Sequence, residues 1–447
     1  MTRAPVSERE DSVSFGVALR FWFKLGFISF GGPAGQIAIM HRELVEQRRW
    51  ISEERFMHAL NFCMLLPGPE AQQLAIYIGW LKHRVIGGVA AGVLFVAPGF
   101  LIIVAISTAY VLFNAWAPMQ GVLFGLKAAV LAVVIEAVLR IAKRALKNCL
   151  GVSIAAGAFI GIFALGIPFP VIVLVAALIG FIGQRWRPEL FPQLAPDSAA
   201  PAPDEPPRDP SPAASAVRVL AVCITLWFAP ILLIYMALGS SHVLTLEGVF
   251  FSKLAVVTFG GAYAALAYAA QEAVQRYEWL TADDMMQGLA LAETTPGPLI
   301  LVLTFVGFVA AFNNAAPFDP LMAGVLGAAL TTWVTFVPCF LWILLGAPHL
   351  ERLRGKRSLS AALASVTAAV VGVMLNLAVW FGLHALFREV ATWERYGLSM
   401  PVPDLYSIDV AAAVIAAAAM IALLKLKTPM IPTLAVCATA GLVVRLL

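Results

Sequence analysis

Apolar residues in this chain run in long blocks, separated by short polar stretches and turn-forming residues. The clearest blocks cover residues 13–40, 87–113, 122–139, 150–167, 171–183, 219–238, 248–270, 321–346 and 359–387. A helix crossing a hydrocarbon core of about 30 Å needs about 20 residues, and most of these blocks are that long. With the blocks 408–424 and 430–447 and two proline-broken segments, the pattern predicts roughly ten to twelve crossings. The expected fold class is an all-α polytopic membrane protein. Residues 1–12 are polar and no small-residue cleavage site follows the first block, so that block reads as an uncleaved span rather than a signal peptide.

One stretch breaks the pattern. Residues 184–217 hold nine prolines among Ala, Asp, Glu, Ser and Arg. Proline at this density excludes regular helix and favours an extended, solvated connector. Arginines 185, 187, 208 and 218 in and around it point to the cytoplasmic side. The chain therefore divides into a first repeat (1–183), a linker (184–217) and a second repeat (218–447).

The two halves are copies. With a constant offset of 229 and no gap, residues 21–70 match residues 250–299 at 15 of 50 positions. The matches fall on unusual residues. Lys24-Leu25 recurs as Lys253-Leu254, and Phe30-Gly31-Gly32 as Phe259-Gly260-Gly261. Glu43 recurs as Glu272, Trp50 as Trp279, and Pro67-Gly68-Pro69 as Pro296-Gly297-Pro298. Further on, Pro98 and Phe100 correspond to Pro338 and Phe340 at an offset of 240. Each copy opens with a lysine-bearing apolar helix that ends at Gly-Gly. A charged amphipathic segment follows, expected to lie at the membrane interface. Next comes an apolar segment interrupted by Pro-Gly-Pro.

Proline removes a helical hydrogen bond and clashes with the preceding turn, so each Pro-Gly-Pro makes two half-helices, as a broken span or a re-entrant hairpin. Unpaired backbone groups cost several kcal/mol in hydrocarbon and survive only when buried in protein or lining a cavity. Broken segments at matching places in two halves point to a transporter's central site. A half-helix N-terminus carries free N–H groups and about half a positive charge, which suits an anion. Such ends are expected after Pro69 and Pro298, and at Gly31-Gly32-Pro33 and Gly260-Gly261. Lys24, deep in its block, is expected to supply further positive charge; Lys253 can instead snorkel to the interface. Glu70 and Glu293, beside the two breaks, are candidates for carrying protons, although Glu70 also suits the first turn of its own helix. Ser29, Asn61, Gln72, Gln73, Thr258, Thr294 and Thr295 could hydrogen-bond oxygens. His41, His58 and His83 read as solvated.

Composition narrows the class further. Hydrophobic residues make up 61% and charged ones 13%, and the mean hydropathy is +0.87. Soluble domains run about 45–50% apolar and about 25% charged, so a water-soluble enzyme is excluded. A net charge of +4 gives no support to nucleic-acid binding. The five cysteines are dispersed without a CxxC pair and read as small apolar packing residues. There is no GxxxxGK[ST], HExxH or GxSxG, hence no sign of ATP hydrolysis, metal or cofactor chemistry, and the energy must come from a gradient or a partner.

At its breaks the chain resembles a known family. FGGPAGQIAIMHRELVEQRRWISEERF followed by LLPGPEAQQLAIYIG is similar to the signature of the chromate ion transporter family. FGGAYAALAYAAQEAVQRYEWLTADDM followed by TTPGP resembles that family's C-terminal repeat. The resemblance implies a bacterial inner-membrane protein with two halves in opposite orientations. It further implies efflux of chromate driven by the proton gradient, with resistance as the result, and sulfate as a competitor or alternative substrate. Carried onto this sequence, the motifs assign Gly31, Gly32, Pro33, Pro67, Gly68 and Pro69, and then Gly260, Gly261, Pro296, Gly297 and Pro298. Ala262 replaces Pro33 in the second copy, so the two breaks need not contribute equally.

The residues alone leave an uptake carrier for sulfate or molybdate open, and also an uncoupled anion channel. They leave the oligomeric state open, a homodimer included. Topology is open as well. A single broken span at the first Pro-Gly-Pro gives an odd crossing count and inverted halves, and a re-entrant hairpin gives an even one. Basic loops at 82–84, 140–147 and 352–357 look cytoplasmic.

Overall fold

The computed structural model describes residues 13–30, 32–191, 212–259, 261–346, 357–395 and 398–446. In the first half the helices are α1 (Phe15–Ile28), α2 (Gly32–His41), α3 (Glu53–Cys63), α4 (Glu70–Phe113), α5 (Ala117–Ala145), α6 (Cys149–Phe163) and α7 (Phe169–Trp186). In the second they are α8 (Pro212–Leu238), α9 (Val243–Val257), α10 (Ala262–Ala270), α11 (Ala282–Glu293), α12 (Val302–Asn313), α13 (Pro320–Gly346), α14 (Arg357–Leu386), α15 (Val410–Met420) and α16 (Met430–Leu446). An antiparallel pair, β1 (Val390–Arg395) and β2 (Leu398–Pro403), joins α14 to α15.

The duplication is kept at the level of single backbone angles. α2 and α10 each pass into a π-helical turn, Arg42–Gln47 and Gln271–Arg276. Glu43 pairs with Arg48 at 3.5 Å, and Glu272 with Arg276 at 3.1 Å. Arg49 and Glu278 occupy equivalent positions with φ of 51° and 52°. The N–H of Trp50 donates to Leu44 and that of Trp279 to Ala273, both at 2.8 Å. α3 and α11 then start on side-chain caps, Ser52 and Thr281, the latter in a reciprocal capping box with Asp284.

Both Pro-Gly-Pro segments are re-entrant hairpins. In the second half Gly288 of α11 lies against Phe305 of α12, and the Asn313 side chain donates to the Trp279 carbonyl at 3.0 Å. α11 and α12 therefore start and end on the same face. In the first half α4 reverses at His83-Arg84, where φ is −137° and +56°, so that residues 70–82 fold back against 85–113 through Gly79 and Gly87. α1 and α2 form a second re-entrant pair. The carbonyl of Val13 bonds His83 at 2.7 Å, so α1 starts beside the turn at 83–84, and the ring of Phe21 meets that of Trp50 at 5.0 Å, so the chain beyond α2 has returned alongside the first half of α1.

The path of α4 fixes how the halves are oriented. From the turn at 83–84, residues 85–113 run about 43 Å. They pass Gly99, which abuts Pro296 and Gly297, and end where Tyr110 bonds Asp284 at the start of α11, at 2.5 Å. The second hairpin therefore opens on the face opposite to the first, and the repeat is inverted. α8 is the connection that achieves this. It packs antiparallel on α9 through Ile231–Gly248 and the bond from Trp227 to Ser252, and delivers the chain to the far face.

The halves are also interlocked. α5 packs on α16 through Gly121, Gly125 and Gly441, and its counterpart α14 packs on α6 and α7 through Gly372 and Gly180. Small residues at such crossings let helices approach within lipid, where apolar burial gives little drive.

Several expectations change here. The block 13–40 is not a span: α1 stops at Ile28 and the chain returns, because the Gly-Gly-Pro break cannot continue a helix. Six described helices are long and apolar enough to cross alone (α4, α5, α7, α8, α13 and α14), and α6, α15 and α16 are shorter apolar helices. Among the described residues the long apolar helices are fewer than ten to twelve, because apolar segments at the breaks turn back. The parity choice between broken span and re-entrant hairpin also fails, because the block 13–40 turns back as well, leaving residues 85–113, α5, α6, α7 and α8 as an odd number of crossings between the repeat starts. The outer parts of the 184–217 stretch belong to α7 and α8, and residues 192–211 lie outside the described residues.

Candidate functional site: a cleft of four helix N-termini

The two breaks of each half meet at the centre of the molecule, and each is completed by the other half. The N–H of Gly68 donates to the Thr258 carbonyl at 2.8 Å, and the N–H of Gly297 donates to the Ser29 carbonyl, also at 2.8 Å. These are equivalent pairs under the offset of 229. Gly68 and Gly297 have φ of 113° and 107°, a region where a side chain is strained. At Gly68 a Cβ would also meet Cys339 Sγ at 2.9 Å.

A cleft lies where four helix starts converge. It is lined by Pro33 and Gln36 of α2, Pro69, Glu70 and Ala71 at the start of α4, Gly261 and Ala262 at the start of α10, and Pro298, Leu299 and Ile300 ahead of α12. Four such ends carry roughly two units of positive charge together, at about half a charge each. The opposing negative ends are capped by donors. Besides the two glycine N–H groups, Gln36 Nε2 donates to the Gly297 carbonyl at 2.5 Å and Gln73 Nε2 to the Pro67 carbonyl at 2.6 Å. The N–H ends thus face the cleft while carbonyls at the break are paired.

The sequence-predicted residues separate by position. Gly32, Pro33, Pro67, Gly68, Pro69, Gly261, Pro296, Gly297 and Pro298 all lie in the two breaks, and Glu70 lines the cleft. Gly31 and Gly260 lie outside the described residues. Lys24 and Lys253 stand apart: both are exposed on the outer faces of α1 and α9, because Phe21, Trp22 and Leu25, and Phe251 and Leu254, take the inward faces. Glu293 is buried next to the cleft rather than in it, and accepts a 2.6 Å bond from Tyr263 of α10. The hydroxyls of Ser29, Thr258, Thr294 and Thr295 bond carbonyls of their own preceding turns at 2.6–2.9 Å. Lys127 pairs with Asp283 of α11 at 2.6 Å, and Glu136 with Arg140. His41 is held between Glu46 and Glu53.

Sequence reading missed Gln36 and Glu247. Gln36 follows the Gly-Gly-Pro break by three residues, early in a helix whose start lines the cleft. Glu247 is a lone acid in an apolar helix, which is itself a signal in a membrane protein.

Two inverted, interlocked repeats around a central cleft of discontinuous helices define a multi-pass membrane protein of the transporter class. The chain belongs to the chromate transporter family, whose model matches residues 17–181 and 248–442, one stretch in each half. It is 33% identical over 361 residues to a chromate transport protein of Pseudomonas aeruginosa, covering 79% of this chain and 77% of that protein. It is 28% identical over 361 residues to the chromate transport protein of Cupriavidus metallidurans, with 80% of each covered. A probable chromate transport protein of Synechococcus elongatus is 26% identical over 406 residues, 89% of this chain and 94% of that one. No solved structure matches.

Proposed function

We propose that the protein is a secondary transporter of tetrahedral oxyanions that exports chromate from the bacterial cytoplasm, driven by the proton gradient, and so confers resistance to chromate. The observation that carries the reading is the cleft of four helix N-termini drawn from both halves. Roughly two units of fixed positive charge match a dianion without a lysine in the site. Sulfate, with the same shape and charge, is the expected competitor. Pro33, Pro69, Gly261 and Pro298 shape the cleft, and Gly68 and Gly297 hold the breaks. Glu70 and Glu293 are the carboxylates beside the anion proposed to hold protons. An ionised Glu70 and a bound dianion repel each other, so protonation of Glu70 and anion loading favour each other.

Charge supports an orientation in the inner membrane. The face carrying the turn at 83–84 holds Lys82, Arg84, Lys143, Arg144, Lys147, Arg185 and Arg187, with Glu189 beside them, whereas the opposite face holds Glu278, Asp283, Asp284, Asp319 and Glu389, with Arg276 and Arg388 beside them. Under the positive-inside tendency the basic face is cytoplasmic.

Everted membrane vesicles test the reading. Radiolabelled chromate should accumulate in vesicles containing the protein, an uncoupler should abolish that accumulation, and sulfate should compete. Accumulation no greater than in vesicles without the protein, or indifferent to the uncoupler, would contradict it.

A further inference from the structure

Glu247 on α9 is fully buried, with 0% of its surface exposed, and neither carboxylate oxygen has a hydrogen-bond partner. It sits at the crossing of α9 with α13. A Cβ on Gly327 of α13 would lie 3.0 Å from Glu247 Oε2, so the absent side chain at 327 is what leaves room for the carboxyl. Gly307 of α12 meets Gly327 at the same crossing, and one turn along α13 the buried hydroxyl of Thr331 also lacks a partner. An ionised, unpaired carboxylate in such a place costs several kcal/mol, so the group must be neutral or hold a cation.

The neighbours do not offer a cation. α12 carries no titratable residue, and α13 carries only Cys339, which lies at the Gly68 loop. The titratable groups of α10 are Tyr263, bonded to Glu293, and Tyr268, stacked on Phe169. Those of α8 in the described residues are Arg218, Cys223 and Tyr235, and on α9 itself Lys253 is exposed. His242, at the start of α9, bonds the Ala316 carbonyl. An alkali cation would need several oxygens to replace its hydration shell, and besides the carboxyl the unpartnered side-chain oxygens on α13 are the hydroxyls of Thr331 and Thr335, one and two turns along from Gly327. A proton needs one oxygen.

Position adds the function. Glu247 lies about 15 Å along α9 from the end that opens into the cleft, on the side of the acidic face. A carboxyl inside the anion cleft ties proton and anion to the same direction of travel, as argued for Glu70. Exchange of protons for anions needs a proton site whose loading does not favour anion loading, and Glu247, away from the cleft, is placed for that.

We infer that Glu247 is a proton-binding site of the exchange cycle, loaded from the acidic face and discharged as the α9–α13 crossing rearranges. This rests on the transporter reading. Two measurements on the full-length protein test it. In the wild type, a hydrophobic carbodiimide that attacks protonated carboxyls in apolar surroundings should modify Glu247, as read by mass spectrometry, and modification should fall as pH rises. No adduct at Glu247 would overturn the inference. In proteoliposomes, Glu247→Gln should keep chromate counterflow within about twofold of wild type. Net transport under an imposed proton-motive force should fall by about tenfold, the accumulation that one pH unit drives per proton. Glu247→Asp should recover part of it. Net transport by Glu247→Gln equal to wild type would overturn the inference, as would coupling that follows a sodium gradient instead. Absence of counterflow in the wild type would instead sink the transporter reading itself.

Discussion

Where the first half carries Gln36, Glu70 and Gln73, the second carries Ala265, Leu299 and Val302. Where the second half carries Glu247 and Glu293, the first carries Ala18 and Met64. The backbones are near copies, down to the positive φ at Gly68 and Gly297, but the polar side chains are shared out between them. The first half supplies polar side chains at the cleft and its breaks, and the second supplies buried acids behind it. An inverted pair of identical halves would present the same groups to both membrane faces. Of the two equivalent crossings in the described residues, α1 with α4 and α9 with α13, the second alone holds a buried carboxyl, which gives a symmetric scaffold a direction.

The comparison can be broken most severely at what the halves share. Replacing Gly68 or Gly297 with leucine forces a side chain into a left-handed backbone, which costs about 1–3 kcal/mol at each site. It also drives a Cβ into Cys339 and Gln73, or into Leu301 and Gly99. Transport of chromate by either variant should be lost in vesicles, with membrane insertion intact by fractionation and immunoblot. Normal flux in both would remove the central cleft from the account.

Next come changes to polar residues that the first half carries and the second lacks at the equivalent positions. Gln36→Ala leaves the Gly297 carbonyl without its side-chain donor, a loss of about 1–3 kcal/mol for a buried group. Chromate flux should fall by about tenfold, the equivalent of 1.4 kcal/mol. The reverse exchange, Ala265→Gln, should not compensate for it, because the opposing loop already has its own donor in Gln73. Glu70→Gln removes a repelling charge from the cleft. Wild-type oxyanion affinity should weaken as pH rises and Glu70 ionises, and this dependence should flatten in the variant, as measured by binding across a pH series.

The smallest effects lie outside the cleft. Lys24→Gln should change chromate affinity by less than about twofold, because a solvated or snorkelling lysine contributes little to a site it does not face. Deleting residues 199–211 should leave transport largely unchanged in the same vesicle assay, since their composition forms no core.

Much of this organisation is legible in the sequence because broken helices use conspicuous residues. Pro-Gly-Pro at 67–69 and 296–298, and Gly-Gly before Pro33 and Ala262, mark both the duplication and the breaks. The direction of the chain after each break is less legible. Hydropathy gives the length of an apolar run but not whether it returns, so the block 13–40 looked like one span. The bond of Asn313 to Trp279, and the reversal at His83-Arg84, are tertiary facts with no local signal. Lys24 misled for a related reason. A lysine in an apolar block suggests a buried partner, but helical phase puts it outward once Phe21, Trp22 and Leu25 face in. With two N-termini a dianion would still need such a charge, and with four it does not.

Protection of cysteines placed on both sides of the cleft tests most directly the claim that one oxyanion is held jointly by the two halves. Ala71 at the start of α4 and Ala262 at the start of α10 line the cleft from opposite halves. Ala71→Cys and Ala262→Cys, each in a background without the native cysteines, would be labelled with a membrane-permeant thiol reagent over a sulfate series, sulfate being a non-oxidising stand-in for chromate. Both positions should be protected, with the same half-protecting concentration. Protection of one position alone, or of neither, would contradict a shared site.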